Sequence, residues 1–476
     1  MPNPYRHTKI IFTIGPATES EDELEKLIKQ GVDVCRLNMA HANHEWTRTV
    51  IERIQRVCER TGRQIAVMMD VKGPEIRTGP VEETFHLEAG ELFDLYIKPD
   101  ELDEADRRGA RGVSINYPSF ANDVKVGNTV LVDSGLIRMR VEDVEPRRVR
   151  CKVVIPGPMG SRRHINLPGV KVNLPALTAK DKADIEVGIE AGVDFFALSF
   201  VREPDDLDIL RRFISERGSQ AKIIAKIEDQ AAVTNLEDII LASDGLMVAR
   251  GDLGIEIPYE TLPVVQRRAV KACLRVGKPV IVATHMLESM ITQPLPTRAE
   301  ITDVANAVSE QADCVMLSGE TTIGKYPAEC VDVLDRIIRA TEGQSDRPYN
   351  TTISLRTPKG LLLRSAVILS DELEDAAILA FTKRGYIAQT LSALRPRKSP
   401  IFAFTDSRRQ FRQMLMLWGV EPFLMDFDPD PEKTIGGALD ILKKQGWANE
   451  GRRIIVVSNV LASERMIDTI QLRTVE

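Results

Sequence analysis

Lys226 and Glu228 stand two residues apart at the end of a short apolar run, Lys222–Ile227, and Asp252 follows the next such run, Gly245–Ala249. In extended backbone alternate residues share a face, so Lys226 and Glu228 point the same way. A cation beside a carboxylate could be a structural ion pair and nothing more. A second carboxylate on the neighbouring run shifts the balance. Two carboxylates without histidine form a hard-oxygen donor set suited to Mg²⁺, with Mn²⁺ as the alternative, and such an ion takes its other ligands from water and substrate. Arg250-Gly251-Asp252-Leu253-Gly254 adds glycines that let backbone approach a ligand, and helix-start N–H groups that suit a carboxylate. The same glycines could serve only a tight turn. Arg36 and Asn38 end another run, and Arg77 follows the segment Asp70–Ile76. Two arginines and Lys226 facing one divalent ion make an electropositive bowl. Phosphoryl transfer, which is mainly positioning and charge neutralisation, needs that inventory. Thr284, Ser318 and Glu320 end two more runs. Hydroxyl and carboxyl there could relay a proton through water, or the hydroxyls could be ordinary strand-end caps.

All these residues occupy the same kind of position. Eight apolar runs (Lys9–Ile14, Val34–Leu37, Ile65–Met69, Phe195–Ser199, Lys222–Ile227, Gly245–Ala249, Pro279–Ala283 and Cys314–Leu317) each end in polar residues. Helical patterns fill most of the gaps: Glu21–Gln30, capped by Ser20 with Glu23 three residues on, then Thr47–Glu59, Ala179–Ala191, Asp205–Glu216, Leu262–Leu274 and Ala328–Thr341. Strand alternating with helix predicts parallel βαβ units, and eight of them predict an α/β fold, a (β/α)₈ TIM barrel. Such a barrel gathers the carboxyl ends of its strands in one ring, where its chemistry sits.

One gap is too long for a single helix. Between Asp70 and Phe195 the stretch 78–169 is patterned as β-structure, with Thr129–Val132 and Leu136–Val141 flanking the turn Asp133-Ser134-Gly135, and Arg148–Ile155 following. An inserted β-barrel after the third strand would cover the barrel mouth and act as a lid; an oligomer contact is the alternative. The expected division is therefore 1–77 with 170–343 as catalytic barrel, 78–169 as lid, and 344–476 as a C-terminal α/β domain. A boundary is expected over Gln344–Pro358. The last domain carries apolar runs Ala376–Phe381, Pro400–Phe404, Pro422–Met425, Arg453–Val457 and Ile470–Thr474, which predict a five-stranded open sheet.

Bulk properties exclude other classes. A net charge of −7 argues against a nucleic-acid partner. No apolar run reaches the length of a membrane span, and the N-terminus lacks the apolar stretch of an export signal, so a cytoplasmic location is expected. The six cysteines form no C-x-x-C pair and lie within apolar patterns, as reduced core residues do. Gly319–Tyr326 fits G-x-x-x-x-G-K, but Tyr326 stands where a phosphate loop needs Ser or Thr. His41 and His44 without a third ligand make a poor zinc site.

Ten blocks of the sequence, among them TKIIFTIGPAT (8–18), CRLNMAH (35–41), DVKGPEIRTG (70–79), NLPGVKVNLPAL (166–177), KIIAKIED (222–229), GLMVARGDLGIEIP (245–258), PVIVATHMLESM (279–290) and DCVMLSGETTIGKYP (313–327), resemble the pyruvate kinase family in that family's order. The resemblance implies conversion of phosphoenolpyruvate and ADP to pyruvate and ATP. It implies Mg²⁺ on Glu228 and Asp252, and the substrate carboxylate on Gly251 and Asp252 backbone and on Thr284. Lys226 and Arg36 would stabilise the transferring phosphoryl group. Asn38, His41, Arg77 and the lid residue Arg163 would meet the nucleotide. Thr284, Ser318 and Glu320 would lie on the side where enolpyruvate is protonated. A homotetramer is implied as well.

Departures from the family pattern carry their own expectations. Its K⁺ site would fall on Asn38, Asp70 and the Val71 carbonyl, but Ala40 replaces a serine ligand and Val71 a threonine, so a weakened K⁺ site is expected, although Glu75 matches the members that need the ion. His285 replaces a glutamine, Arg163-His164 replaces Lys-Gly, and Asp229-Gln-Ala-Ala follows Lys-Ile-Glu. Thr382-Lys383-Arg384-Gly385-Tyr386 resembles the effector loop, with Arg384 and Tyr386 departing from it. Ala462–Asp468 stands where the family has a glycine-rich segment, so sugar-phosphate activation is not expected. Two competing functions remain at this point: a catalytically weak relative acting as a metabolite sensor, and a Mg²⁺-dependent lyase working through a pyruvate enolate on the same barrel.

Overall fold

The computed structural model describes residues 5–97, 110–344, 350–462 and 465–476. Residues 345–349 of the expected boundary segment, and 463–464 of the segment replacing the glycine-rich stretch, lie outside the described residues. Eight parallel strands, Lys9–Thr13, Val34–Asn38, Ala66–Val71, Phe195–Leu198, Lys222–Ile227, Gly245–Ala249, Val280–Ala283 and Cys314–Leu317, pair in sequence order. The eighth returns to the first, so the barrel is closed. Each strand coincides with an expected apolar run to within two residues at either end, because a strand covered on both faces must be apolar nearly throughout.

The helices between them begin where capping chemistry puts them. Ser20 accepts from the Glu23 N–H, and Gly31 closes the same helix in the left-handed conformation. Thr178 and Asp181 form a reciprocal capping box at the head of helix Ala179–Glu190. Asp181 also accepts from the Gly73 N–H (3.2 Å) just past the third barrel strand. Gly73 has φ +71°, and a Cβ there would lie 2.9 Å from the Ser199 carbonyl, so the turn at the barrel mouth requires glycine. Thr178→Ala is expected to destabilise this helix by about 1 kcal/mol, seen as faster amide exchange in its first turn.

Between the third and fourth barrel strands the chain forms a seven-stranded sheet running from Ile76–Arg77 through His164–Asn166, Thr129–Val132, Ile137–Glu145, Arg148–Ile155 and Leu92–Ile97 to Arg111–Ile115. A bridge between Thr78 and Ile115 brings the two edges together. Phe93, Val130, Met139, Val149 and Cys151 are buried inside. The hairpin turn Asp133-Ser134-Gly135 has positive φ at all three positions.

The C-terminal domain is a five-stranded sheet in the order Val420–Leu424, Ile401–Thr405, Ala376–Phe381, Arg453–Ala462, Arg465–Thr474, with only the last strand antiparallel. The last two strands are longer than their apolar runs because they pair as one extended hairpin. This domain also completes the barrel. Leu415 and Met416 are buried in the cluster that fills the barrel interior, with Ile11, Val34, Phe195, Met247 and Ile281. Around that plug, Arg395 pairs with Asp313 (2.8 Å) and Arg412 with Asp194 (2.8 Å). The Cys314 thiol reaches the Met416 carbonyl.

Candidate active site

At the carboxyl ends of the strands, buried charges form a continuous chain. Arg36 ends the second strand and donates from Nε to Asp70 Oδ2 (2.7 Å) and from Nη1 to Thr13 Oγ1 (3.1 Å). Asp70, 2% exposed, sits beside Asn38 in register. Its other oxygen accepts from Lys226 Nζ (3.1 Å) and from Ser199 Oγ (3.2 Å). Lys226 also donates to Ser199 Oγ (2.7 Å) and pairs with Glu228 Oε1 (2.8 Å). The far oxygen of Glu228 accepts from the Phe200 N–H (2.7 Å), and Phe200 takes a left-handed φ of 53° to offer it. Ser199, a strand-end hydroxyl not assigned from sequence, is thus central to the cluster. Its signal was a polar residue closing the apolar run of the fourth strand.

The electrostatics follow from burial. Burial would push the Asp70 carboxyl up, but Arg36 and Lys226 hold it below its ordinary value. Burial likewise opposes charge on Lys226, yet Asp70 and Glu228 keep its ammonium protonated well above the usual range. Glu228 is 1% exposed. Burial pushes its carboxyl up to about 7, Lys226 draws it back, and Asp252 pushes it up further. Among the described residues the Asp252 carboxylate meets no hydrogen-bond or ion-pair partner, although it is half-buried. Two neighbouring carboxylates, one destabilised by the other and one without a partner, fit a divalent cation.

A second cluster stands on the sixth and seventh strands. The Gly251 N–H donates to Thr284 Oγ1 (2.7 Å), and the Thr284 hydroxyl donates to the Ala283 carbonyl (2.6 Å). Thr284 and His285 both have positive φ, 68° and 55°. Arg250, buried, fastens this turn by donating to the Thr284 carbonyl (2.6 Å) while pairing with Asp303 (2.7 Å). Such a conformation in a β-branched residue is strained and persists only when surrounding structure over-determines it.

The third group is Ser318 and Glu320. Glu320 is fully buried, and its carboxylate accepts from the backbone N–H groups of Leu287 (3.0 Å) and Ser318 (2.7 Å). It ties the seventh-strand loop to the eighth. Ser318 Oγ is buried without a partner among the described residues.

The residues expected to meet the nucleotide are more exposed. Asn38 Oδ1 accepts from the Ala40 N–H (3.1 Å), and His41 faces solvent. Arg77 reaches Glu75 (2.6 Å), which also pairs with Lys72 (2.9 Å). Arg163 extends to Asp133 of the hairpin turn (3.2 Å), and its Nε has no partner among the described residues. Arg77 pairs across strands with His164, whose ring lies 5.9 Å from that of Phe200. Burial lowers the His164 pKa against the pull of Glu75 and Asp252, which keeps the imidazole neutral. The inserted domain therefore touches the residue that holds Glu228. The structure joins Arg36, Asp70, Ser199, Lys226 and Glu228 in one bonded network, and Gly251 with Thr284 in another. Arg77 and Arg163 enter from the inserted domain's base.

Fold and site together define a barrel enzyme equipped for phosphoryl transfer. The pyruvate kinase barrel-domain family matches residues 5–331, and the pyruvate kinase alpha/beta-domain family matches 361–472. A pyruvate kinase from Dictyostelium discoideum is 40% identical over 468 residues, covering 95% of this chain and 91% of its own. One from Staphylococcus epidermidis is 39% identical, covering 97% and 79%. Plastidial pyruvate kinase 2 of Arabidopsis thaliana is 38% identical, covering 96% and 79%. The crystal structure of a pyruvate kinase from Cryptosporidium parvum superposes with a TM-score of 0.92 at 34% identity, covering 99% of this chain and 96% of that one. The chain belongs to the pyruvate kinase family, and it is a phosphotransferase.

Proposed function

We propose that the protein transfers the phosphoryl group of phosphoenolpyruvate to ADP in a Mg²⁺-dependent reaction that yields pyruvate and ATP. The observation that carries this is the bonded chain Arg36–Asp70–Lys226–Glu228 beside a partnerless Asp252. Glu228 and Asp252 would hold the divalent ion, with Mn²⁺ a competent substitute. When bound, the ion supplies positive charge to the oxygens of phosphate and enolate. Arg36 and Lys226 are fixed in place by Asp70 and Ser199, so their charge is preorganised for the developing phosphoryl charge and needs no rearrangement at the moment of reaction. Thr284 and the Gly251 and Asp252 N–H groups would receive the substrate carboxylate once the Gly251–Thr284 bond opens. Asn38, His41, Arg77 and Arg163 would meet the nucleotide, with the inserted domain closing over it to exclude water. The partnerless Ser318 hydroxyl would donate toward the enolate carbon through water, with Glu320 orienting it by gripping its N–H.

The K⁺ dependence is expected to be weak. Asp70 already spends both oxygens on Arg36, Lys226 and Ser199, and Ala40 offers no hydroxyl. A lactate-dehydrogenase-coupled assay with phosphoenolpyruvate, ADP and Mg²⁺ tests the reaction and this expectation together. Turnover should appear in both potassium and tetramethylammonium buffers. Absence of turnover in both buffers refutes the activity, and strong saturable activation by potassium refutes the weakened site.

The same proposal includes a homotetramer, supported by exposed Tyr259, Val264 and Leu295 on the barrel's outer helices and loops. It also includes a reducing, cytoplasmic location. All six cysteines are buried and unpaired, and no helix among the described residues is long and apolar enough to cross a membrane.

A further inference from the structure

We infer that Asn166 and Glu256 form a tether that positions the inserted β-domain over the helix carrying Asp252; the inference rests on the site proposed above. Asn166 ends the strand His164–Asn166, which pairs with Ile76–Arg77 on one side and Thr129–Val132 on the other. It therefore moves with the sheet that bears Arg77 and Arg163. Glu256 is the last residue of helix Arg250–Glu256, whose first turn supplies Gly251 and Asp252. Asn166 Nδ2 donates to Glu256 Oε1 at 2.6 Å, with Asn166 only 3% exposed. The bond spans the boundary between the covering domain and the proposed metal and carboxylate site. Alongside it lies a cavity of about 650 Å³ between segment 169–176 and the barrel residues Phe200, Asp229 and Asn235. The returning chain has room to swing there while Asn166 stays held.

One feature of this pair gives the tether two settings. Asn166 Oδ1 is buried without a partner among the described residues. A neutral Glu256 has an O–H that the orphaned amide oxygen can accept, so acid and amide share two hydrogen bonds; an ionised Glu256 can only accept, leaving one. Burial pushes the Glu256 carboxyl up to about 7, with Asn166 drawing it back and Asp229 and Asp252 pushing it up again. Asp229 faces it from the head of the helix Gln230–Thr234, and Asp252 from its own helix. His164, two residues before Asn166 on the strand, is held neutral by burial. Arg202, across the cavity, is committed to Asp206 and to the Val172 and Leu174 carbonyls. The tether is thus doubly bonded when Glu256 is protonated and singly bonded when it is ionised.

The test is steady-state kinetics of the whole chain from pH 6 to 8, with the KM for ADP of each variant divided by that of the unaltered protein, which cancels titration of the nucleotide. Glu256→Gln keeps the shape and offers two bonds at every pH. Relative to this variant, the unaltered protein should have a similar KM for ADP at pH 6 and one about three- to tenfold higher at pH 8. Asn166→Ala should raise the KM for ADP about tenfold at pH 6, leave the KM for phosphoenolpyruvate nearly unchanged, and be made no worse by adding Glu256→Gln. A ratio that stays flat with pH, effects that add in the double variant, or an equal rise in both KM values would overturn the tether. Because the isosteric Glu256→Gln alone decides the pH arm, a folding failure in Asn166→Ala does not rescue the idea. Absence of turnover in the unaltered protein would instead refute the phosphotransfer proposal on which the tether rests.

Discussion

Replacing Lys226 with methionine is expected to lower kcat by at least about a thousandfold, the scale for losing a preorganised charge aimed at the transition state. The ammonium touches Asp70, Ser199 and Glu228 at once, and among the described residues no other side chain pairs with both carboxylates. Methionine nearly matches the stem in volume, so the packing should survive. What changes is protonation. Glu228 is already pushed up to about 7 with Lys226 beside it; without that cation it should take up a proton across the neutral range, which would spare the fold an unpaired buried charge. The expected result is a protein with unaltered circular dichroism and negligible turnover. Turnover within tenfold of the unaltered protein would refute the assignment. Lys226→Arg should not rescue it, because a planar guanidinium cannot occupy a pocket shaped for a point charge between three oxygens.

Asp252→Ala should weaken Mn²⁺ binding by at least about a hundredfold, more than removing a supporting residue behind a ligand costs, with a comparable loss of turnover. Electron paramagnetic resonance of free Mn²⁺ reads the first effect without reference to catalysis. A secondary sign is testable. Asp252 pushes the Glu228 carboxyl up, so removing it should bring that carboxyl down and leave Glu228 ionised at lower pH than before. Unchanged Mn²⁺ affinity in this variant would remove the metal site from the proposal, whatever the kinetics showed.

The barrel was legible because its strands are short, nearly all apolar, and closed by residues of a different kind. Lys222–Ile227 and Cys314–Leu317 match the expected runs end to end. Helix starts were legible where a cap declares itself, as at Ser20. Lys226, Glu228 and Asp252 could be grouped because strand order alone makes them neighbours. Connections that skip along the chain were hidden. Nothing near Arg250 announces that it bolts the Thr284 turn to Asp303, and a left-handed threonine has no signature in sequence. Glu320 and Ser318 were visible as polar strand endings. That the carboxylate is occupied by two backbone N–H groups, while the hydroxyl has none to meet, depends on how two loops fold against each other. Asn166 and Glu256 are ninety residues apart, and each is unremarkable alone.

The plug of Leu415 and Met416 in the barrel floor bears on how the molecule is made. The strands that form the barrel wall are all synthesised by residue 317, yet the side chains that stopper its lower end emerge about a hundred residues later. A nascent barrel therefore keeps an open, apolar base until about a hundred further residues, and only two of the five C-terminal strands, have been added. During that interval Asp194 and Asp313 lack the arginines that later neutralise them. Maturation of the catalytic end is thus completed from the opposite pole, by residues that follow the whole barrel in the chain.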